Sequence, residues 1–564
     1  MAKAPKKKKL SPEEKERKQH TSEIRSVFTL SGFQRIPAVA DKEFTFGGRT
    51  GDVDDIFVYE NIVVLAEYTC TKSANISTHL LKKKILFDKI LGDPTGFIKY
   101  LDTKFPIFKE RRGDDHHISQ YKLRIVYASK NKIDEAHKTS VPNTVYFDYP
   151  VMKYFQSVVK AVKKSARFEL LNFLGFDCTD IAVKGSGGTG QKNSTYSGSI
   201  LPEAHSNFDE GFKVVSFYVD PEALLSRTYV LRKDGWREGD GLYQRMISAG
   251  KVSAIRKHLK EKKRVFINNI IVTLPSETKL LDDKKNTMDV DKLTKTSPVT
   301  IQLPDSYNSI GIIDGQHRVF SYHEGGSFDE DIVKLRQRQN LLVTGIIYPE
   351  GIKDIERTKF EANLFLEINS NQTNAKSDLK HAIGLLLTPF SPASIGKQIV
   401  NKLNEKGALF DQFERHFYDA QKLKTTSIIS YGLIPLIKLG GSDSLFKAWK
   451  NPAKETLESG ADKELLEEYI KHCTSEINLF LSAVKKIMPS DKWVTERNIK
   501  GRLLTTTFIN GLLICLRHIV ENDKLGDLSY YSKRLDGIDA FAFGDYHSSQ
   551  YGRMGEEIYK KHFE

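Results

Sequence analysis

Three carboxylates, Asp52, Asp54 and Glu67, lie at the end of a segment that is otherwise almost wholly apolar, DVDDIFVYENIVVLAEYT (52–69). Two strand-like runs flank Glu60-Asn61, a pair suited to a two-residue hairpin loop. That loop places Asp54 opposite Glu67 and Asp52 opposite Thr69. Opposed side chains sit ~5 Å apart, and strand alternation puts all four on one face. Below them on that face come Ile56, Val58, Leu65 and Val63; the other face carries Phe57, Val64, Ala66 and Ile62. A hairpin apolar on both sides is a central, buried one. Like charges opposed at the edge of a core are costly, and a divalent cation or a raised pKa relieves them. Carboxylates converging on Mg²⁺ suit phosphodiester hydrolysis, where the metal activates water and stabilises the leaving oxygen.

The most specific segment is IGIIDGQHRVFSY (310–322). An apolar strand runs into Asp314-Gly315, and Gln316, His317 and Arg318 precede a helix beginning near Val319. A glycine turn from strand to helix lets backbone N–H groups point at an anion. Arg318 adds a planar, always-charged fork suited to phosphate. Asp314 could hold a metal ion or polarise a water, and His317 could donate to a phosphate oxygen; the sequence alone leaves these roles open.

The 52–69 pattern resembles the PD-(D/E)xK nucleases, in which an acid on one strand and an ExK motif on the next form the site. The resemblance implies that Asp54 and Glu67 are the catalytic, metal-binding acids, with Glu23 of the first helix as a candidate third. The expected lysine position holds Thr69, so the resemblance shifts that role to Lys72 or to the run Lys82–Lys84. Asp314 to Arg318 spells the signature of the DGQHR-domain family. Its members include regulators of DNA phosphorothioation and components of 7-deazaguanine DNA modification. The family is similar to ParB, of the ParB/sulfiredoxin fold, whose equivalent segment binds a nucleoside triphosphate. Two further segments fit: Tyr243, Gln244 and Arg245 look like the family's YQR element, and Asn369, Asn371 and Gln372 like its Ile-Asn-x-x-Gln element. Together they imply a nucleotide site, with Mg²⁺ and ATP or another NTP as cofactors.

Elements able to position these residues are readable as a multidomain α/β chain. At 564 residues it exceeds one core. The tail, 1–20, reads as disordered and basic, with Lys6, Lys7, Lys8 and Lys9 as a DNA-tracking arm or a solubilising one. Residues 21–180 read as the nuclease-like domain, opened by helical periodicity from Glu23 to Leu30. A linker at 181–196 precedes the DGQHR domain, 197–375, with strands at 214–219, 266–274, 309–314 and 341–348. Residues 376–564 read as helical.

Composition narrows the partners. Lys and Arg number 86 against 72 Asp and Glu, a net charge of +14, which favours a polyanion such as DNA. No stretch approaches the ~20 apolar residues of a membrane span. The four cysteines show no ligand spacing, and the cytoplasm is the expected location. GSGGTGQK (185–192) lacks the lysine of a P-loop and reads as linker, and Asp114-Asp115-His116-His117 reads as a solvated loop. The expectation is a DNA-modification or phage-defence protein that binds, and hydrolyses, a nucleotide and cleaves DNA. Its rivals are an NTP-dependent subunit of a base-modification complex, working with a modifying partner, and a non-enzymatic DNA-binding regulator. Self-association stays open.

Overall fold

The computed structural model describes residues 10–37, 39–40, 42–182, 194–232, 235–237, 244–370, 383–416, 418–419 and 421–564. They form two compact units, divided between Arg357 and Thr358.

In the first unit, helix α1 (Pro12–Leu30) starts well before the periodicity suggests. Ser11 and Glu14 form a reciprocal cap, Glu14 N donating to Ser11 Oγ (3.1 Å) and Ser11 N to Glu14 Oε2 (2.8 Å). Residues 12–20, expected to be disordered tail, are therefore helical, and His20 is buried against the Ala128 carbonyl. Strands β1 (Gln34–Arg35), β2 (Asp55–Tyr59), β3 (Ile62–Thr69), β4 (Lys122–Ser129) and β5 (Val145–Asp148) form one sheet in chain order. The first three alternate antiparallel; β4 runs parallel to β3 and β5 parallel to β4. Helix α2 (Ser73–Gly92) begins the β3–β4 crossover.

The β2–β3 hairpin has the expected register, Tyr59 opposite Ile62 and Asp55 opposite Ala66. Glu60 turns the chain at φ 47°. Each face enters a different core. Phe57, Ile62, Val64 and Ala66 pack with Ile24, Val27 and Phe28 of α1. Ile56, Val58, Val63 and Leu65 pack with Ile76, Leu80, Phe87 and Ile90 of α2.

An eight-stranded mixed sheet follows, built from β6 (Ser194–Ile200), β7 (Lys213–Val219), β8 (Thr228–Tyr229), β9 (Ile270–Leu274), β10 (Lys279–Leu281), β11 (Ser297–Leu303), β12 (Ile310–Asp314) and β13 (Leu341–Ile347). Its order is β8-β12-β9-β13-β7-β6-β11-β10. Strands β6, β8, β10 and β11 lie outside the expected ones: β8 and β10 are two and three residues long, β6 is mostly polar and begins inside the expected linker, and β11 alternates at Val299, Ile301 and Leu303. Helices α3 (Tyr149–Val162), α4 (Arg167–Phe173) and α5 (Ala249–Lys262) complete the layers used below.

The two domains read from the sequence are not separate bodies. One hydrophobic core contains Phe57, Phe155 and Leu170 together with Phe217, Val272, Ile312 and Val319. Arg167 makes two bonds to the Glu324 carboxylate (2.7 and 2.9 Å), and Asp177 accepts from Ser306 Oγ and Tyr307 N. The second unit is helical, with α6 (Pro392–Glu405), α7 (Lys463–Ile487), α8 (Thr506–Glu521) and α9 (Tyr551–Phe563) around its own core of Ile399, Leu466, Ile477, Leu513 and Ile558. No helix of the described residues is long and apolar enough to cross a membrane.

Asp55, beside Asp54, faces the α1 core and is wholly buried. It pairs with Arg25 Nε (2.6 Å) and with Arg35, and accepts from the Tyr68 hydroxyl. Asp55→Ala strands two arginines at the core edge, so it should lower the unfolding free energy by about 3 kcal/mol. The reading is a fall in the urea midpoint; an unchanged midpoint would show that solvent already satisfies both guanidinium groups.

Candidate functional site

The carboxylates of the hairpin meet α2. Asp54 stands one residue before β2, where its backbone N donates to Ala66 O and its Oδ2 accepts from Tyr68 N (2.6 Å). Glu67 projects from β3 on the α2 side and is buried. Lys83 Nζ donates to Glu67 (2.9 Å), to Asp52 Oδ1 (2.9 Å) and to the Asp52 carbonyl (3.0 Å). One turn earlier on α2, His79 brings Nε2 to 3.6 Å from Glu67 Oε1, and its Nδ1 lies 2.8 Å from the Tyr127 hydroxyl. Tyr127 is the β4 residue in register with Glu67.

Burial, then the neighbouring Asp54 charge, pushes the Glu67 carboxyl up to about 8 against the pull of Lys83. Burial pulls Lys83 down, but Glu67 and Asp52 more than offset it, so the ammonium stays charged at neutral pH. Three acids with one bridging lysine form a site that a divalent cation would relieve. Among the described residues no group of three His, Cys, Asp or Glu side chains converges tightly enough to hold a metal by itself. Two carboxylates, Asp54 and Glu67, are of the ligand type that Mg²⁺ takes, one or two acids with the remaining positions left to water. Asp54 and Glu67 are the residues that would hold it.

One expected site residue lies elsewhere. Glu23 sits on α1, which packs against the opposite face of the sheet, and its carboxylate pairs with Lys153 (2.6 Å) and Gln19. Lys72 precedes α2 and makes no side-chain cap there. Lys83, from the alternative run, supplies the cation. Helical spacing was the available signal: His79 and Lys83 are four apart and share a face with the buried Ile76 and Leu80.

The 314–318 segment turns as expected but is largely satisfied from within. Gly315 has φ 102°, and a Cβ there would come within 2.6 Å of Ile270 Cδ1 and 3.1 Å of Arg318 Nη2. Arg318 folds back over this glycine and pairs with Asp314 Oδ2 (2.7 Å). Its side chain is 18% exposed, and its Nε is buried without a hydrogen-bond partner. Gln316 joins a line of bonds from Gln244 Oε1 (3.4 Å) to Arg232 Nε (3.4 Å), and Gln244 donates to the Ile312 carbonyl. Arg232 Nη1 continues the line to Tyr154 (2.9 Å) and Glu169 (3.2 Å), of α3 and α4.

His317 Nε2 accepts from Ser248 N (3.2 Å) at the start of α5. Burial, then Lys251 and Arg232, lowers its pKa to about 4. It is a neutral acceptor on that nitrogen, which leaves Nδ1–H as the ring's one donor. Arg256 of α5 ties the segment's far end, donating to the carbonyls of Ser321, His323 and Ser327. Arg245 is exposed. Asn369 lies in the second unit, where its Nδ2 donates to Phe365 O (2.9 Å). Lys6, Lys7, Lys8, Lys9, Tyr243, Asn371, Gln372 and the glycine-rich 185–192 lie outside the described residues. His116, expected in a solvated loop, is instead buried and contacts Glu60 (3.2 Å).

Against family models, curated proteins and solved structures the chain finds no match.

His323, just after the segment, is 3% exposed, and burial, then Arg256, pulls its pKa to about 4 from 6.5. The unfolded chain therefore takes up a proton first. Stability from this group is complete above about pH 6.5 and is lost as pH falls toward 4, roughly 2 kcal/mol by pH 5. The melting temperature should fall between pH 7 and pH 5, and less steeply in His323→Gln; equal slopes would show that His323 is hydrated in the folded state.

Proposed function

We propose that the first unit is a Mg²⁺-dependent nuclease acting on DNA, in which Asp54 and Glu67 hold the cation and Lys83 replaces the lysine missing at Thr69. The observation that carries this reading is Lys83 Nζ lying 2.9 Å from both Glu67 and Asp52, reaching the site from a helix rather than from the strand. The hairpin supports it: the acid before β2 and Glu67 on β3 share one face, as the resemblance to PD-(D/E)xK nucleases implies. The net charge of +14 suits a nucleic-acid substrate.

When bound, Mg²⁺ supplies an activated water and charge for the leaving oxygen. The protein's own groups do the rest. Asp54 is oriented by the Tyr68 N–H, Glu67 by Lys83, and the charged ammonium of Lys83 offers a donor to negative charge developing on a phosphate. In the cell this chemistry would serve DNA modification or phage defence, the setting implied by the DGQHR signature.

A second reading, nucleotide binding at 314–318, is favoured by the unpartnered Nε of Arg318, an edge of guanidinium that a phosphate oxygen would complete. A nucleotide would compete with Asp314 for that side chain. In this reading ATP or another NTP, with Mg²⁺, tunes cleavage or supports a modifying partner.

Modified and unmodified supercoiled plasmid, incubated with the protein and Mg²⁺, should be nicked or cut, and EDTA should stop it. Asp54→Ala and Lys83→Ala should each slow cleavage by about 10²-fold or more, whereas Lys72→Ala should leave it unchanged. Wild-type rates in both site variants would exclude these residues. For the second reading, calorimetric titration with ATP, CTP and GTP plus Mg²⁺ should give heat that Arg318→Ala removes; no heat from the wild type leaves the segment as a structural turn.

A further inference from the structure

The nuclease reading uses Asp54, Glu67 and Lys83, and leaves unexplained a second pair at the same carboxylate. His79 stands one helical turn before Lys83, so both side chains of α2 approach Glu67 from one direction. Beyond the imidazole lies Tyr127, fully buried, with its hydroxyl 2.8 Å from Nδ1. The placement follows from the sheet. Tyr127 and Glu67 are register partners on parallel strands, so their side chains emerge side by side on the α2 face. A histidine spanning them sees a hydroxyl on one nitrogen and a carboxylate on the other.

Once Glu67 is ionised, as it must be to receive a cation, that arrangement selects a tautomer. A lone pair on Nε2 would face Glu67 Oε1 at 3.6 Å and repel it, whereas an N–H there is attracted. The proton then belongs on Nε2, and Nδ1 accepts from the Tyr127 O–H. At 3.6 Å the N–H is aimed at the carboxylate rather than bonded to it, a gap that a small rotation or one water closes. Carboxylates that hold a metal are themselves commonly held by an outer hydrogen bond. No expectation from the sequence assigned His79 or Tyr127 any part.

We propose that His79 is a positioning residue for this site: its Nε2–H, fixed by the buried Tyr127 hydroxyl, holds the Glu67 carboxylate in the orientation that receives the cation. The proposal rests on the nuclease reading for its purpose but not for its geometry. Tyr127→Phe is the informative change, because a fully buried residue cannot touch DNA and the phenyl ring keeps the packing against Tyr146. Without the hydroxyl, Nδ1 loses its donor and the proton redistributes between the two nitrogens.

Three measurements on the full chain decide it. Nitrogen NMR of ¹⁵N-histidine-labelled protein at about pH 9, where Glu67 is ionised, with His79→Gln to assign the signals, should show His79 protonated on Nε2 in the wild type and a mixture of tautomers in Tyr127→Phe. Titration with Mn²⁺ alone should show about tenfold weaker binding in Tyr127→Phe and in His79→Leu, with no further loss in the double variant. His79→Gln, whose amide N–H replaces Nε2–H, should bind within about twofold of wild type. Plasmid cleavage should follow the same order through kcat, with KM for DNA unchanged. Wild-type Mn²⁺ affinity in Tyr127→Phe, or His79→Gln as weak as His79→Leu, overturns the proposal. If the protein, or its Asp54→Ala variant, fails the cleavage test above, the nuclease reading falls by itself, and the tautomer and Mn²⁺ results still judge His79.

Discussion

A hairpin buried on both faces must end its apolar run somewhere, and here it ends on acids that water cannot fully reach. Asp54 and Asp55 are neighbours in the chain, so the strand sends their side chains to opposite cores. The two faces settle their charge differently. On the α1 side one carboxylate, Asp55, meets two arginines and a tyrosine hydroxyl, and the charge is closed. On the α2 side Lys83 bridges Glu67 and Asp52 with Asp54 close by, and the Glu67 carboxyl is still pushed upward. Burial on both sides with unequal compensation separates a closed ion pair from a carboxyl that stays perturbed.

The hairpin sheet and the 314–318 turn are built on one core. A flexible linker would have allowed each to act alone. The shared core, the Arg167–Glu324 pair and the line from Glu169 through Arg232 to Gln316 leave no such freedom within the first unit. A nucleotide that disturbed Gln316 or opened the Asp314–Arg318 pair would be rearranging buried hydrogen bonds that also seat α3 and α4. Coupling then requires that the ligand prefer the rearranged set, since equal affinity for both shifts nothing. His317 belongs to the same frame: as a neutral acceptor from Ser248 it pins the start of α5, and α5 in turn returns Arg256 to the segment's far end.

What the sequence revealed follows from how local each signal is. The hairpin register needed only the Glu60-Asn61 turn and strict alternation, and the strand-to-helix turn at Gly315 only a glycine after an apolar run. Lys83 and His79 were only half legible: spacing sets them on the face of Ile76 and Leu80, but that this face meets the acids of the hairpin is a tertiary fact. Glu23 looked like a site acid by its place in the first helix, but α1 covers the other face of the hairpin. The early start of α1 was hidden by charge, since a capping box outweighs polarity in a helix that buries only His20, Ile24, Val27 and Phe28. The unity of the first unit was invisible because composition marks a linker whether or not the flanking cores merge.

The helix-borne lysine also changes what the site depends on. A lysine on β3 would be placed by the strand that carries Glu67, and the two would move together. Thr69 instead spends its hydroxyl on Thr71, and the cation arrives from α2 across the packing of Ile76, Leu80, Leu86, Phe87 and Ile90 on the sheet. The distance between Lys83 and Glu67 is therefore set by an apolar interface, not by covalent proximity. Interiors are close-packed and relax only partially, so a methylene lost from that interface leaves a void under the helix that carries the lysine. His79 rides on the same helix and is tied to Tyr127 in the sheet, a polar tether across the apolar seam. Helix and sheet hold the carboxylate between them, and the site exists only at the spacing their shared core enforces.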